Sequence, residues 1–199
     1  MRKINFKIED WKKENDFKYV IYSVHTARLK KVLSIIFPKN EGWKFSVSKQ
    51  HASSVNINIM EMPVDIDDCV NVDKVKHKFF ISSNIGTEEL IKYYKENTSH
   101  GGYNAYRDDY HEGIIKTALE IIEKSISFAI APVETVSVDG DYGNIPNYYK
   151  NVIIGKWDKP FKKAENGKVL NKNEYLKRFE CIKNEIEAIR KLNYIVNEF

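Results

Sequence analysis

Trp43-Lys44-Phe45-Ser46-Val47-Ser48-Lys49 and Ser54-Val55-Asn56-Ile57-Asn58-Ile59-Met60 are two runs of clean alternation, separated by a few polar residues. In the first, Trp43, Phe45 and Val47 fall on one side of an extended chain, with Lys44, Ser46 and Ser48 on the other. In the second, Val55, Ile57 and Ile59 oppose Ser54, Asn56 and Asn58. Successive side chains of a strand point to opposite faces, so each run reads as a strand with one buried face. The connection from Lys49 to Ser53 is short, which predicts an antiparallel hairpin. Pro63 closes the second strand, and Asp65, Asp67 and Asp68 make an acidic turn after it.

Upstream, Leu29, Val32, Leu33, Ile36 and Phe37 form one apolar stripe, which predicts a helix over 26–37. Pro38 ends it, because the residue before a proline is pushed out of the helical region. Two short apolar pieces, Ile4–Ile8 and Phe17–Tyr22, precede this helix and flank the polar stretch Glu9–Asp16. The second piece is a strand or the lead-in to the helix.

Downstream, His77–Ser82 reads as a third strand. Thr87 caps a short helix to Glu96, with Glu88 and Glu89 in its electropositive first turn. A helix from Asp109 to Ser125 carries Ile114, Ala118, Ile121 and Ile122 on one face. Ser127–Val138 reads as extended, Asp139–Pro146 as turn-rich, Tyr148–Trp157 as a strand stopped near Pro160, and Asn166-Gly167 as a turn. Asn171 and Glu174 form a capping box for a C-terminal helix. Along it Tyr175, Phe179, Ile182, Ile186 and Ile189 make a seam, either laid against the core or used for a homodimer or partner helix. The expected fold is therefore α+β: a mainly antiparallel sheet with helices packed on one face and a long C-terminal helix. Residues 1–165 form the α+β domain and residues 166–199 the terminal helix.

The chain has 199 residues, 42% of them hydrophobic and 13% aromatic, enough for one filled core. No apolar run reaches the roughly 18 residues of a membrane span. The N-terminus lacks the apolar stretch of a signal peptide. Cys69 and Cys181 lie far apart in no metal-binding spacing, which suits a reducing, cytoplasmic setting in a bacterial host cell. Net charge is +4 but unevenly spread. Residues 1–50 carry 12 basic and 5 acidic residues, and residues 151–199 carry 11 and 7. The segments between are acidic. If the basic ends meet in space they form a face able to engage phosphate or an acidic protein; otherwise they are solvated, Lys-rich surface.

Residues 98–111 concentrate side-chain chemistry around the Gly101-Gly102 pair. His100 and His111 suit general base and acid, with Tyr110 as an alternative proton donor. Arg107 suits a phosphate, and Tyr103 and Tyr106 suit base stacking. That inventory matches metal-independent phosphodiester cleavage. It equally matches a structural loop, with Asp108 or Asp109 capping the next helix and the tyrosines as anchors. Lys30 and Lys31, then Lys156, Trp157, Lys162 and Lys163, interleave basic and aromatic residues as single-stranded nucleic-acid binders do. No metal site or cofactor is expected: there is no His-Glu-x-x-His, Cys-x-x-Cys or nucleotide-binding glycine loop. Asp139-Gly140-Asp141-Tyr142-Gly143-Asn144 starts like a calcium loop, but Asn144 and Lys150 stand where such a loop needs Gly and Glu. Neither cysteine has a helix-start or His-adjacent context for a nucleophile.

The order of several of these pieces resembles a domain of unknown function, the large polyvalent protein-associated domain of conjugative and mobile elements. The matching residues are Ile36-Phe37-Pro38, Lys44-Phe45-Ser46-Val47, Ser53-Ser54-Val55-Asn56-Ile57, Pro63, and the segment from Tyr93 through Tyr110, within residues 25–127. Met60-Glu61-Met62 departs from the Trp-Thr-Asp-Gly of that pattern. The resemblance implies an α+β domain carried by mobile DNA and assigns no catalytic residue. It also implies a setting in which small proteins evade host defence, including anti-CRISPR activity. The functions expected are thus a binding protein that counters a host nucleoprotein complex, a small metal-independent ribonuclease acting on guide-like RNA, or a non-enzymatic accessory of conjugation. The partner is RNA or an RNA-guided protein complex.

Overall fold

Strands β1 (Lys44–Gln50) and β2 (Ser54–Met62) pair antiparallel, with Phe45 opposite Ile59 and Val47 opposite Ile57, as the alternation requires. The computed structural model describes residues 23–50, 54–79, 85–97, 102–104, 111–129, 136–137, 144–145, 149–156, 159 and 161–197. Helix α1 (Ser23–Ile36) enters the hairpin, and Pro38 turns the chain into it. After β2 come α2 (Val72–Phe79), α3 (Thr87–Asn97), a short β3 (Gly102–Asn104) and α4 (Gly113–Ala129). Strands β4 (Val136–Ser137) and β5 (Asn144–Ile145) pair with each other in a separate small sheet. The chain then runs through β6 (Tyr149–Gly155), β7 (Lys162–Lys163) and α5 (Lys172–Asn197).

The architecture is α+β, but the main sheet is mixed. Its order is β1-β2-β6-β3, with β7 also on β2. β6 lies parallel to β2, and β3 antiparallel to β6. The parallel pair is held in register partly by amides: Asn56 stands opposite Asn151, and the Asn151 side chain donates to Asn56 Oδ1 at 2.9 Å. The residues that alternation places on the polar side of β2 are thus used across the strands.

The apolar side of the sheet meets three helices in one cluster. Val55, Ile57, Ile59, Val152 and Ile154 pack with Leu29, Val32, Leu33 and Ile36 of α1, with Ile115, Ile121, Ile122 and Ile126 of α4, and with Tyr175, Phe179, Ile182 and Ile186 of α5. The seam of α5 therefore lies in the core along Tyr175 to Ile186. Its capping box forms as read: Glu174 N donates to Asn171 Oδ1 and Asn171 N to Glu174 Oε2, both at 3.0 Å. Trp43 is fully buried; its Nε1–H donates to the Tyr175 hydroxyl at 3.0 Å, and its ring stands edge-on to Tyr175. Arg178 grips both Glu41 carboxylate oxygens at 2.7 and 2.8 Å and donates to the last carbonyl of α1, Ile36 O, at 3.1 Å.

Three expectations change. The strand expected over His77–Ser82 is helical through Phe79, because Asn71 caps α2: its Oδ1 accepts from Lys74 N at 3.0 Å. The helix expected from Asp109 starts at Gly113, because His111 bridges Val70 as a strand and Glu112 N donates to Cys69 O at 2.9 Å. It also runs on to Ala129, where extended chain is expected from Ser127. Residues 1–22 lie outside the described residues, as does most of 131–143. No helix is long and apolar enough to cross a membrane, among the described residues.

Candidate functional site

β6 and β7 are two pieces of one line along β2. Ile154 pairs with Ile59, and Lys162 pairs next with Glu61, both in the parallel sense. The two partners are separated along the chain by residues 155–161, whereas only Met60 separates Ile59 from Glu61. So large an insertion interrupts the ladder along β2. This insertion has a built start and a built return. Gly155 is buried and adopts φ +83°, which glycine tolerates and other residues resist. Its carbonyl accepts from Asn58 Nδ2 at 3.0 Å, and Asn58 is only 7% exposed. Lys156 N then donates to Lys159 O at 2.7 Å, and Lys159 N returns the bond to Lys156 O at 3.2 Å.

Past the insertion, β7 presents Lys162 and Lys163, both exposed. The segment that follows is pressed onto the end of the hairpin. Ala164 N donates to Met62 O at 2.9 Å, and Lys168 N to Glu41 O at 3.1 Å. A Cβ on Gly167 would lie 2.5 Å from Pro63, and one on Gly42 (φ +91°) would lie 2.8 Å from the Ala164 methyl. These contacts join the region of Lys39 to the region of Lys162–Lys168 at one end of the sheet. Lys39, Lys159, Lys162, Lys163, Lys168 and Lys172 are exposed there. Two carboxylates nearby are occupied, Glu41 by Arg178 and Glu61 by Lys44 Nζ at 2.5 Å, while Glu165 stands exposed between Lys163 and Lys168. Local charge is positive, and a phosphate backbone is the natural counter-ion for such a surface.

Of the residues the sequence singles out, Lys156, Lys162 and Lys163 lie at this end of the sheet. Trp157 is their sequence neighbour but lies outside the described residues. The Tyr103 backbone is adjacent, since β3 pairs Gly102 with Gly155 and Tyr103 with Ile154. Lys30 and Lys31 stand exposed on α1, a different element. His100, Tyr106, Arg107 and Tyr110 lie outside the described residues. His111 is 1% exposed, and burial pushes its imidazole down to about 4. At neutral pH it is uncharged and closed to solvent.

Sequence reasoning passes over two features. Asn58 reads as surface on the polar side of a strand, yet it is buried and pins the start of the insertion. Cys69 reads as having no helix or histidine nearby. In the fold it sits beside the N-terminus of α4, next to Val70, which bridges His111. Burial pushes its thiol up, against the backbone N–H groups of Ile115 and Ile114, which favour the thiolate. It is a packed, protonated thiol. Among the described residues no group of three or more His, Cys, Asp or Glu is placed to hold a metal.

No family model matches this chain, and comparison with curated proteins and with solved structures finds no match either.

Proposed function

We propose that the protein is a non-enzymatic binding protein of a mobile element that engages RNA, or an RNA-guided host complex, through the basic edge at Lys156–Lys163. The observation that carries this reading is the gathering of Lys156, Lys159, Lys162 and Lys163 with Lys39 and Lys168 at one end of the sheet, where Glu41 and Glu61 are each paired and the exposed Glu165 is outnumbered. The mobile-element setting and the role against host defence rest on the sequence resemblance alone. Guide RNA in a nucleoprotein complex offers the phosphate charge that this edge complements.

The ribonuclease reading has less to support it. His111 belongs to its catalytic set, and a buried imidazole that is neutral at pH 7 suits packing better than proton delivery. One assay separates the readings: labelled guide-like RNA is incubated with the protein, with and without an RNA-guided effector. The binder reading expects intact RNA and a complex that Lys162→Ala/Lys163→Ala weakens about tenfold. Discrete RNA shortening, lost in a His100→Ala/His111→Ala variant, would replace it with the enzyme reading.

A further inference from the structure

The segment from Ala164 to Lys168 is tied down at both ends and exposed in the middle. Ala164 N donates to Met62 O at 2.9 Å, and Lys168 N to Glu41 O at 3.1 Å. Between those anchors the chain turns at Glu165-Asn166, with the Asn166 side chain exposed. Gly167 follows for close approach rather than for backbone freedom. Its φ is not in the left-handed region, yet a Cβ there would lie 2.5 Å from Pro63. Packing against the hairpin thus requires glycine directly after an exposed asparagine. In that order the asparagine amide is chemically weakest, because no side chain on the next residue hinders its backbone nitrogen. Among the described residues no backbone hydrogen bond engages the Gly167 N–H. Asn173, exposed on α5, differs. The residue after it is Glu174, whose side chain crowds the attack and whose N–H is given to Asn171 Oδ1 at 3.0 Å.

We propose that Asn166 is a site of self-modification, deamidating in the folded protein. Gly167 N gives its proton to solvent base and attacks Asn166 Cγ. The new Cγ–N bond closes a succinimide ring as the Cγ–Nδ2 bond breaks, and that nitrogen leaves as ammonia. Water then opens the ring at either carbonyl, giving aspartate or isoaspartate at this position. Each product adds a negative charge between Lys163 and Lys168. Isoaspartate also lengthens the backbone by one carbon between the anchors at Ala164 and Lys168, where Gly167 is already pressed against Pro63. The chemistry does not depend on whether the basic end binds RNA.

The test follows the full chain at mildly alkaline pH, in buffer and in urea, by mass spectrometry of its peptides with isoaspartate detection. The folded chain is expected to convert Asn166 about tenfold faster than Asn173, and faster still as pH rises, since the attacking nitrogen must lose its proton. Asn166→Gln, whose longer side chain would have to close a larger ring, should stay unmodified at that position with the fold intact. Conversion to isoaspartate should remove hydrogen-exchange protection from the Lys168 amide while the β1–β2 amides keep theirs. Unchanged protection at Lys168 in the isoaspartate form would overturn the effect on that anchor. Conversion of Asn166 in urea but not in buffer would mean that the folded turn shields the amide, and would overturn the site itself. Equal rates at Asn166 and Asn173 in the folded chain would overturn it too.

Discussion

Burial at His111 and His25 makes single residues carry the acid sensitivity of the fold. Both imidazoles are pushed from the ordinary 6.5 to about 4, His111 by burial, and His25 by burial and then by the nearby Arg28 guanidinium. Between those values the unfolded chain binds protons that the folded chain refuses. Stability therefore rises with pH across that window and is lost as pH falls from about 6.5 towards 4. Each shift corresponds to at most about 3 kcal/mol. Urea unfolding at pH 7 and pH 5 should show the lower stability at pH 5, and His111→Asn should flatten that dependence whatever it does to stability at pH 7. A second residue prediction concerns Trp43. Tyr175→Phe removes the hydroxyl to which the fully buried Trp43 indole N–H donates and should cost about 1 to 3 kcal/mol in chemical denaturation. Alternation along 43–49 foretells that Trp43 is inside. It says nothing of a hydroxyl far along the chain, because period-two patterning reports a face and not a partner.

Elements were legible where their signals are local. The hairpin, α1 and the Asn171–Glu174 box all follow from patterns a few residues long, and the structure keeps them. α2 was not, because Lys74, Lys76 and Lys78 alternate with Val75, His77 and Phe79 and imitate a strand. Asn71, which caps the helix, settles the matter only in three dimensions. The parallel placing of β6 against β2 was also hidden: its apolar residues announce a strand without its direction or neighbour. Of the candidate site, the lysines were visible as sequence, but their meeting depends on the Met62–Ala164 and Glu41–Lys168 backbone bonds. α5 is the element most exposed to test. Arg178→Ala leaves the Glu41 carboxylate, largely buried, without its two charged donors and frees the end of α1. The expected loss is about 2 to 3 kcal/mol. Lys177→Ala, an exposed neighbour on the same helix, should cost little.

At the scale of the molecule, charge is sorted along the chain and gathered again by the fold. The acidic stretch from Asp65 to Glu89 belongs to the α2–α3 region, while Lys39 is brought beside the lysines of β7 and Lys168. If that edge binds nucleic acid, affinity should fall steeply between low and moderate salt, with a log–log slope near −0.7 per phosphate engaged. A flat salt response in a gel-shift or anisotropy titration would remove nucleic acid as the ligand. The pairing of β2 with β6 bears on synthesis as well. β2 is in hand early, but its parallel neighbour and the helix that covers the core are made last. Until then Val55, Ile57 and Ile59 sit beside an open ladder, the kind of edge that recruits other strands. A protein closed by contacts so distant in sequence folds slowly. A piece ending near residue 127, which is all the mobile-element resemblance covers, would be born with that edge uncovered, and aggregation on expression is its expected fate.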